Sequence, residues 1–159
     1  MTTNRPLSLL ILIFALVGCG FAPAIKPESR AQLAQIHVAP IAEREGQVLK
    51  IALNNQLNPK GLKIGPVYTL NLSLQTSTSQ SYAISSVVTR GLGTMTATGN
   101  LQDLTGKVVW SGSISHSALF AQHELPSLTA EAKANLWKDL ANLIAQDLRL
   151  VLAQALEAL

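Results

Sequence analysis

Histidine is the side chain most often used as a metal ligand or general base near neutral pH, and the chain has His37, His116 and His123. Neither His116 nor His123 has a Cys or a clustered carboxylate at ligand spacing. The pattern therefore points to solvent-facing or hydrogen-bonded imidazoles, with no metal. Gly91-Leu92-Gly93-Thr94-Met95-Thr96 begins like a dinucleotide fingerprint but lacks the third glycine. It also lies among strand-like residues and not at a strand-to-helix turn. No serine stands in a Gly-x-Ser-x-Gly elbow. Glu43 and Glu45 are neighbouring carboxylates, yet a helix start attracts acids through its dipole alone. These residues give no support for an enzyme, a catalytic set or a resident cofactor.

The remaining reactive side chain is Cys19, the one cysteine of the chain. It follows Leu16-Val17-Gly18, at the end of a run that carries Arg5 and then an almost wholly apolar core from Leu7 to Val17. A charged n-region, a short apolar h-region and small residues at the cut mark a secretory signal. As a helix that core rises only about 16 Å, roughly half the hydrocarbon thickness of a bilayer. It is too short to span. Leu-Val-Gly-Cys resembles a bacterial lipobox, in which the thiol is diacylated, the signal is removed before the cysteine and the new amino terminus is acylated. Each buried methylene contributes about 0.8 kcal/mol and stable anchoring needs more than one chain, so three fatty acyl chains of the palmitate type would hold. The alternative, a lone core cysteine, fits poorly with the position and flanks of Cys19. Gly20 stands where known lipoproteins carry an inner-membrane retention Asp, which favours the outer membrane. The expected organisation is a removed signal over 1–18, an acylated, extended tether over 19–30 containing Pro23 and Pro27, and one domain over 31–159.

Composition narrows the partners. The formal charge is +3 and loses one unit with Arg5, too little to argue for nucleic acid. Charged residues are 13% of the chain, against about a quarter in typical domains, and Ser, Thr, Gln and Asn take their place. Such a surface can hydrogen-bond a partner without a large charge-desolvation penalty. Aromatics are 4%, so the core must be built from Leu, Ile, Val and Ala.

These residues need elements to position them. Gln35–Ile41 alternates as a first strand that ends near Pro40, which cannot donate to a ladder. From Glu45 to Leu57 the period changes: Val48, Leu49, Ala52, Leu53 and Leu57 share a helical stripe, with Lys50 and Asn54 facing away. Asn58-Pro59-Lys60-Gly61 ends it. Tyr68, Leu70, Leu72 and Leu74 alternate with Thr69, Asn71, Ser73 and Gln75, a strand with one apolar and one polar face. The polar tract Thr76–Ser81 fits a loop or a strand extension equally. Ile84–Gln102 reads as a long strand with Met95, Ala97 and Leu101 inward and Thr94, Thr96 and Thr98 outward. Asp103-Leu104-Thr105-Gly106 is a hairpin turn. Val108, Trp110, Gly112 and Ile114 form the apolar face of its partner strand. After Pro126, Ser127 or Thr129 can cap a long helix with Glu131 in its first turn. Leu136, Leu140, Ile144, Leu148 and Val151 make its buried stripe, and Lys133, Lys138 and Arg149 stay wet. Its polar side mixes Asp139 and Asp147 with the cations, so core packing accounts for it better than an interfacial membrane helix. The order β-α-β-β-β-α predicts an α+β two-layer sandwich, a mixed sheet of about four strands with two helices on one face.

Taken in order, Gly18-Cys19-Gly20-Phe21-x-Pro23, Ile36-x-Val38, Arg44-x-Gly46-Gln47-x-Leu49, Tyr68-x-Leu70, Leu101-x-Asp103-x-x-Gly106 and the Ala-rich terminal helix resemble the LPS-assembly lipoprotein family LptE in its short alphaproteobacterial form. The resemblance implies a two-helix, four-stranded plug lodged in the outer-membrane β-barrel LptD. There it would help assemble the barrel and assist insertion of lipopolysaccharide into the outer leaflet. It further implies a periplasmic-side, lipid-anchored location and basic side chains at loop ends in contact with lipopolysaccharide. Arg90 and Lys107 are the candidates here; with Lys63 they equally fit ordinary solvated charges, because phosphate recognition favours basic groups in combination. A second reading is an auxiliary lipoprotein of an ABC-type lipid transport system in the periplasm.

Overall fold

The computed structural model of the chain describes residues 27–62, 64–81, 89–122 and 125–159. Cys19, Lys63 and His123, the signal and most of the expected tether lie outside the described residues. The elements run α1 (Pro27–Leu33), β1 (Ile36–Val38), α2 (Glu43–Leu57), β2 (Tyr68–Ser81), β3 (Thr89–Asp103), β4 (Val108–Gln122) and α3 (Pro126–Glu157). The strands form one four-stranded sheet in the order β1-β2-β3-β4. β1 pairs parallel with β2, and β2-β3-β4 is antiparallel. This is the expected α+β mixed sheet. The parallel pair requires a crossover, and α2 supplies it.

Period-2 alternation sorts the three long strands into two faces. Leu70, Leu101 and Trp110 share a register row, as do Leu74, Ala97 and Ile114. Leu70, Met95, Ala97 and Leu101 are fully buried under the helices, together with Leu49 and Leu53 of α2 and Leu140, Ile144, Leu148 and Leu152 of α3. A buried Leu contributes about 1.5–3 kcal/mol by leaving water, so this single layer is the fold's main support. Gly91 and Gly93 belong to it. A Cβ on Gly93 would collide with Leu136 and one on Gly91 with the Phe120 ring. The paired glycines let helix and ring lie close to the sheet, and this packing accounts for the broken fingerprint.

Five local readings change. Residues 27–30 are not extended: they open α1, whose Leu33 is buried and whose Ser29 hydroxyl donates to Glu157 Oε1 of α3 at 2.7 Å. A seven-residue helix is unstable alone, so tertiary contact holds it. β1 is confined to Ile36–Val38. Ser127 and Thr129 are not the N-cap of α3; Leu125 is, with no side-chain cap, and Pro126 sits where its missing N–H is harmless. The α3 stripe continues through Leu152, Ala153 and Leu156, with Val151 only partly buried. On β4 the pairing passes from Leu101–Trp110 to Gln102–Val108, leaving Val109 as an extra residue. That bulge shifts the face: Val109 packs on the core and Val108 is 48% exposed.

Candidate functional site

The face of the sheet turned away from the helices is the most unusual surface described. Its register rows are Asn71–Asn100–Ser111, Ser73–Thr98–Ser113, Gln75–Thr96–Ser115 and Ser77–Thr94–Ser117. Every one of these side chains is neutral and polar, and all are exposed or half-buried. The surface is built by the same alternation that builds the core, read on the odd residues of β2 and β4 and the even residues of β3.

The hydroxyls pair across the strands. Thr94 Oγ1 and Ser117 Oγ are 2.8 Å apart, Thr96 Oγ1 and Ser115 Oγ 2.8 Å, and Thr98 Oγ1 and Ser113 Oγ 2.9 Å. Ser73 Oγ donates to the Thr98 carbonyl at 3.2 Å, and Asn71 Nδ2 donates to Asn100 Oδ1 at 3.3 Å. Cross-strand pairs of this kind contribute about 0.2–1 kcal/mol each. In a hydroxyl pair one O–H is consumed while the second proton and several lone pairs remain free. The ladder is thus internally ordered and still able to donate to and accept from a partner. Neutral, already-paired hydroxyls are removed from water far more cheaply than charges.

The ends of this face differ. At the end nearer the start of β3 the rows become Ser79–Leu92–Leu119, and then Arg90 stands opposite Ser81 and Ala121. Leu119 is 54% exposed. At the other end the β3–β4 turn is built on Asp103. Its Oδ1 accepts from the Thr105 hydroxyl at 2.7 Å, the Thr105 amide at 2.8 Å and the Lys107 amide at 3.0 Å. The Thr105 hydroxyl, joined by these amides and the Lys107 charge, holds the Asp103 carboxyl below its ordinary range. Gly106 takes φ +85°, which suits glycine.

Arg90 and Lys107 are therefore not brought together. The length of β3 separates them, about 45 Å at the rise of an extended strand. Of the histidines, His37 is exposed on β1, and His116 lies on the helix-facing side, where its Nε2 is 2.7 Å from Asp147 Oδ2 of α3. That contact ties β4 to the long helix. Among the described residues no group of His, Cys, Asp or Glu is arranged to hold a metal ion, and no helix is long and apolar enough to cross a membrane. The sequence also gave no hint of a cleft of about 400 Å³ between α1, the loop after α2 and α3, whose lining includes Arg30, Lys60 and Arg149. Those three cations are far apart in the chain, so no local pattern signals them.

No family model and no curated protein matches the chain. Its fold, however, is shared with solved proteins. A protein from Caulobacter crescentus CB15 described as a lipoprotein superposes with a TM-score of 0.68 at 22% identity, covering 82% of this chain and 96% of that one. The minor lipoprotein of Acinetobacter baumannii gives a TM-score of 0.55 at 15% identity, covering 76% of this chain and 92% of the other. What defines the class is a helix-backed mixed sheet with one open face. At these identities the likeness is one of fold.

Proposed function

We propose that the protein is a non-catalytic, lipid-anchored lipoprotein of the outer membrane that works as a plug and assembly partner of a large β-barrel, LptD, and assists insertion of lipopolysaccharide. The observation that carries this reading is the charge-free ladder of paired hydroxyls and amides over the open face. The interior of an outer-membrane barrel is polar. A guest seated there must satisfy many hydrogen bonds without burying unpaired charge, and this face meets both demands. The lipobox at Cys19 and the fold shared with lipoproteins support the same reading. Arg90 and Lys107 mark the two ends of the sheet, where a seated plug would present cations to an anionic lipid, each on its own.

The test is a mild-detergent pull-down from outer membranes through a C-terminal tag. A stoichiometric large β-barrel is the expected product. Recovery of an inner-membrane transporter instead would move the auxiliary-lipoprotein reading to first place.

A further inference from the structure

We infer that the cleft between α1, the loop after α2 and α3 binds the phosphate headgroup of a membrane phospholipid beside the protein's own anchor. Arg30 from α1, Lys60 from the loop and Arg149 from α3 all line it, and no Asp or Glu does. None of the three pairs with a described carboxylate. Phosphate recognition uses exposed basic groups in combination, and Arg adds bidentate geometry. Here the combination exists, as it does not at Arg90 or Lys107.

The loop carrying Lys60 is held in shape. Asn58 Nδ2 donates to the Leu62 carbonyl at 2.8 Å and Asn58 Oδ1 accepts from the Leu62 amide at 2.9 Å, closing the turn at Gly61 with φ +60°. The C-terminus of α2 points its partial negative charge, about half an electron, toward this region. Three full cations outweigh it. Leu33 and Leu57 are buried at the cleft, while Leu62 is 47% exposed on its wall. An apolar wall beside a cationic cluster fits an amphiphile better than a free anion. The volume of about 400 Å³ lies within the range of small-molecule sites, about 300–1,000 Å³.

Chain length identifies the source of that amphiphile, and this step rests on the lipid-anchored reading above. Seven residues, 20–26, lie between Cys19 and the start of α1 at Pro27. In any conformation they reach at most about 28 Å. An acylated Cys19 would keep α1, and with it Arg30, close to the leaflet holding the acyl chains.

The experiment is native mass spectrometry of the full chain released from a neutral maltoside detergent titrated with phosphatidylglycerol or phosphatidylcholine, with inorganic phosphate as competitor. One phosphatidylglycerol per chain is expected, bound about tenfold more tightly than phosphatidylcholine. Arg149→Gln, Lys60→Gln and Arg30→Gln should each weaken it about three- to tenfold, and the triple variant should lose it. Lys138→Gln, at an exposed position of α3 outside the cleft lining, should leave it unchanged. Leu62→Ser, at an exposed position, should weaken lipid binding with the circular-dichroism spectrum retained, which covers the case in which the triple variant fails to fold. Equal binding of phosphatidylcholine, survival of binding in a folded triple variant, or displacement by inorganic phosphate at the lipid's own concentration would each overturn the assignment. The same spectra report acylation of Cys19 as added mass. A chain without that mass that still binds phosphatidylglycerol loses the anchor and keeps the cleft; an acylated chain that binds none loses the cleft alone.

Discussion

The two faces of the sheet share the same strands, the same hydrogen-bond ladder and the same register, yet they do opposite work. On one face Leu70, Met95, Ala97 and Leu101 are fully buried beneath α2 and α3. On the other, at the neighbouring positions, Asn71, Thr94, Thr96, Thr98 and Asn100 remain at the surface with their polar atoms paired across strands. On the function proposed above, the difference separates folding from recognition. Apolar burial stabilises one side, and the other is free to be selected for what it touches.

Changes on the helix-facing side should have the largest effect. Leu140→Ala removes a side chain with no exposed surface and should lower stability by about 2–5 kcal/mol, read as a shift in the urea midpoint with unchanged slope. Gly93→Val forces Leu136 and Trp137 off the sheet and should lose about 1–3 kcal/mol in the same assay. On the open face Thr96→Lys loses the pair with Ser115 and should change stability by no more than about 1 kcal/mol while abolishing recovery of the β-barrel in the pull-down, because its ammonium would be buried unpaired in the interface. A variant that unfolds as readily as Leu140→Ala would break the contrast between the faces; one that still captures the barrel would show that another surface meets it.

The smallest effect belongs to the turn. The Asp103 carboxyl titrates below its ordinary value of 3.8 in the folded chain, so its contribution is present above that value and is lost as pH falls through the lowered native one. Asp103→Asn should therefore leave the stability near neutral pH slightly reduced and flatten its decline below about pH 4. Urea midpoints taken from pH 7 to pH 2 check this. An unaltered pH profile would mean that the Thr105 and Lys107 bonds do not persist in solution.

Much of this was legible in the chain because the relevant information is local. The alternation from Tyr68 to Gln75 and from Thr94 to Leu101 identified both faces before any contact was known. The stripe in α2 likewise named its buried Leu49, Ala52, Leu53 and Leu57. Asp103 and Gly106 marked their turn by residue type alone. The tract Thr76–Ser81 was ambiguous because it has no apolar residue to set a phase. It is strand because β3 pairs with it through Ser81. The bulge at Val109 was invisible for a similar reason: two adjacent valines satisfy either phase, and only the pairing partner distinguishes them.

By itself, then, the sequence determined the types of the longer elements and the two-faced sheet, since each depends on residues a few positions apart. Tertiary structure decided the rest. α1 exists because Leu33 and Ser29 find α3 at the far end of the chain, and a short helix has no stability of its own. The hydroxyl ladder depends on register, which sets Thr96 opposite Ser115 and not one residue away. Arg30, Lys60 and Arg149 line one cleft only because chain closure brings distant segments together, and no periodicity of the sequence encodes that adjacency.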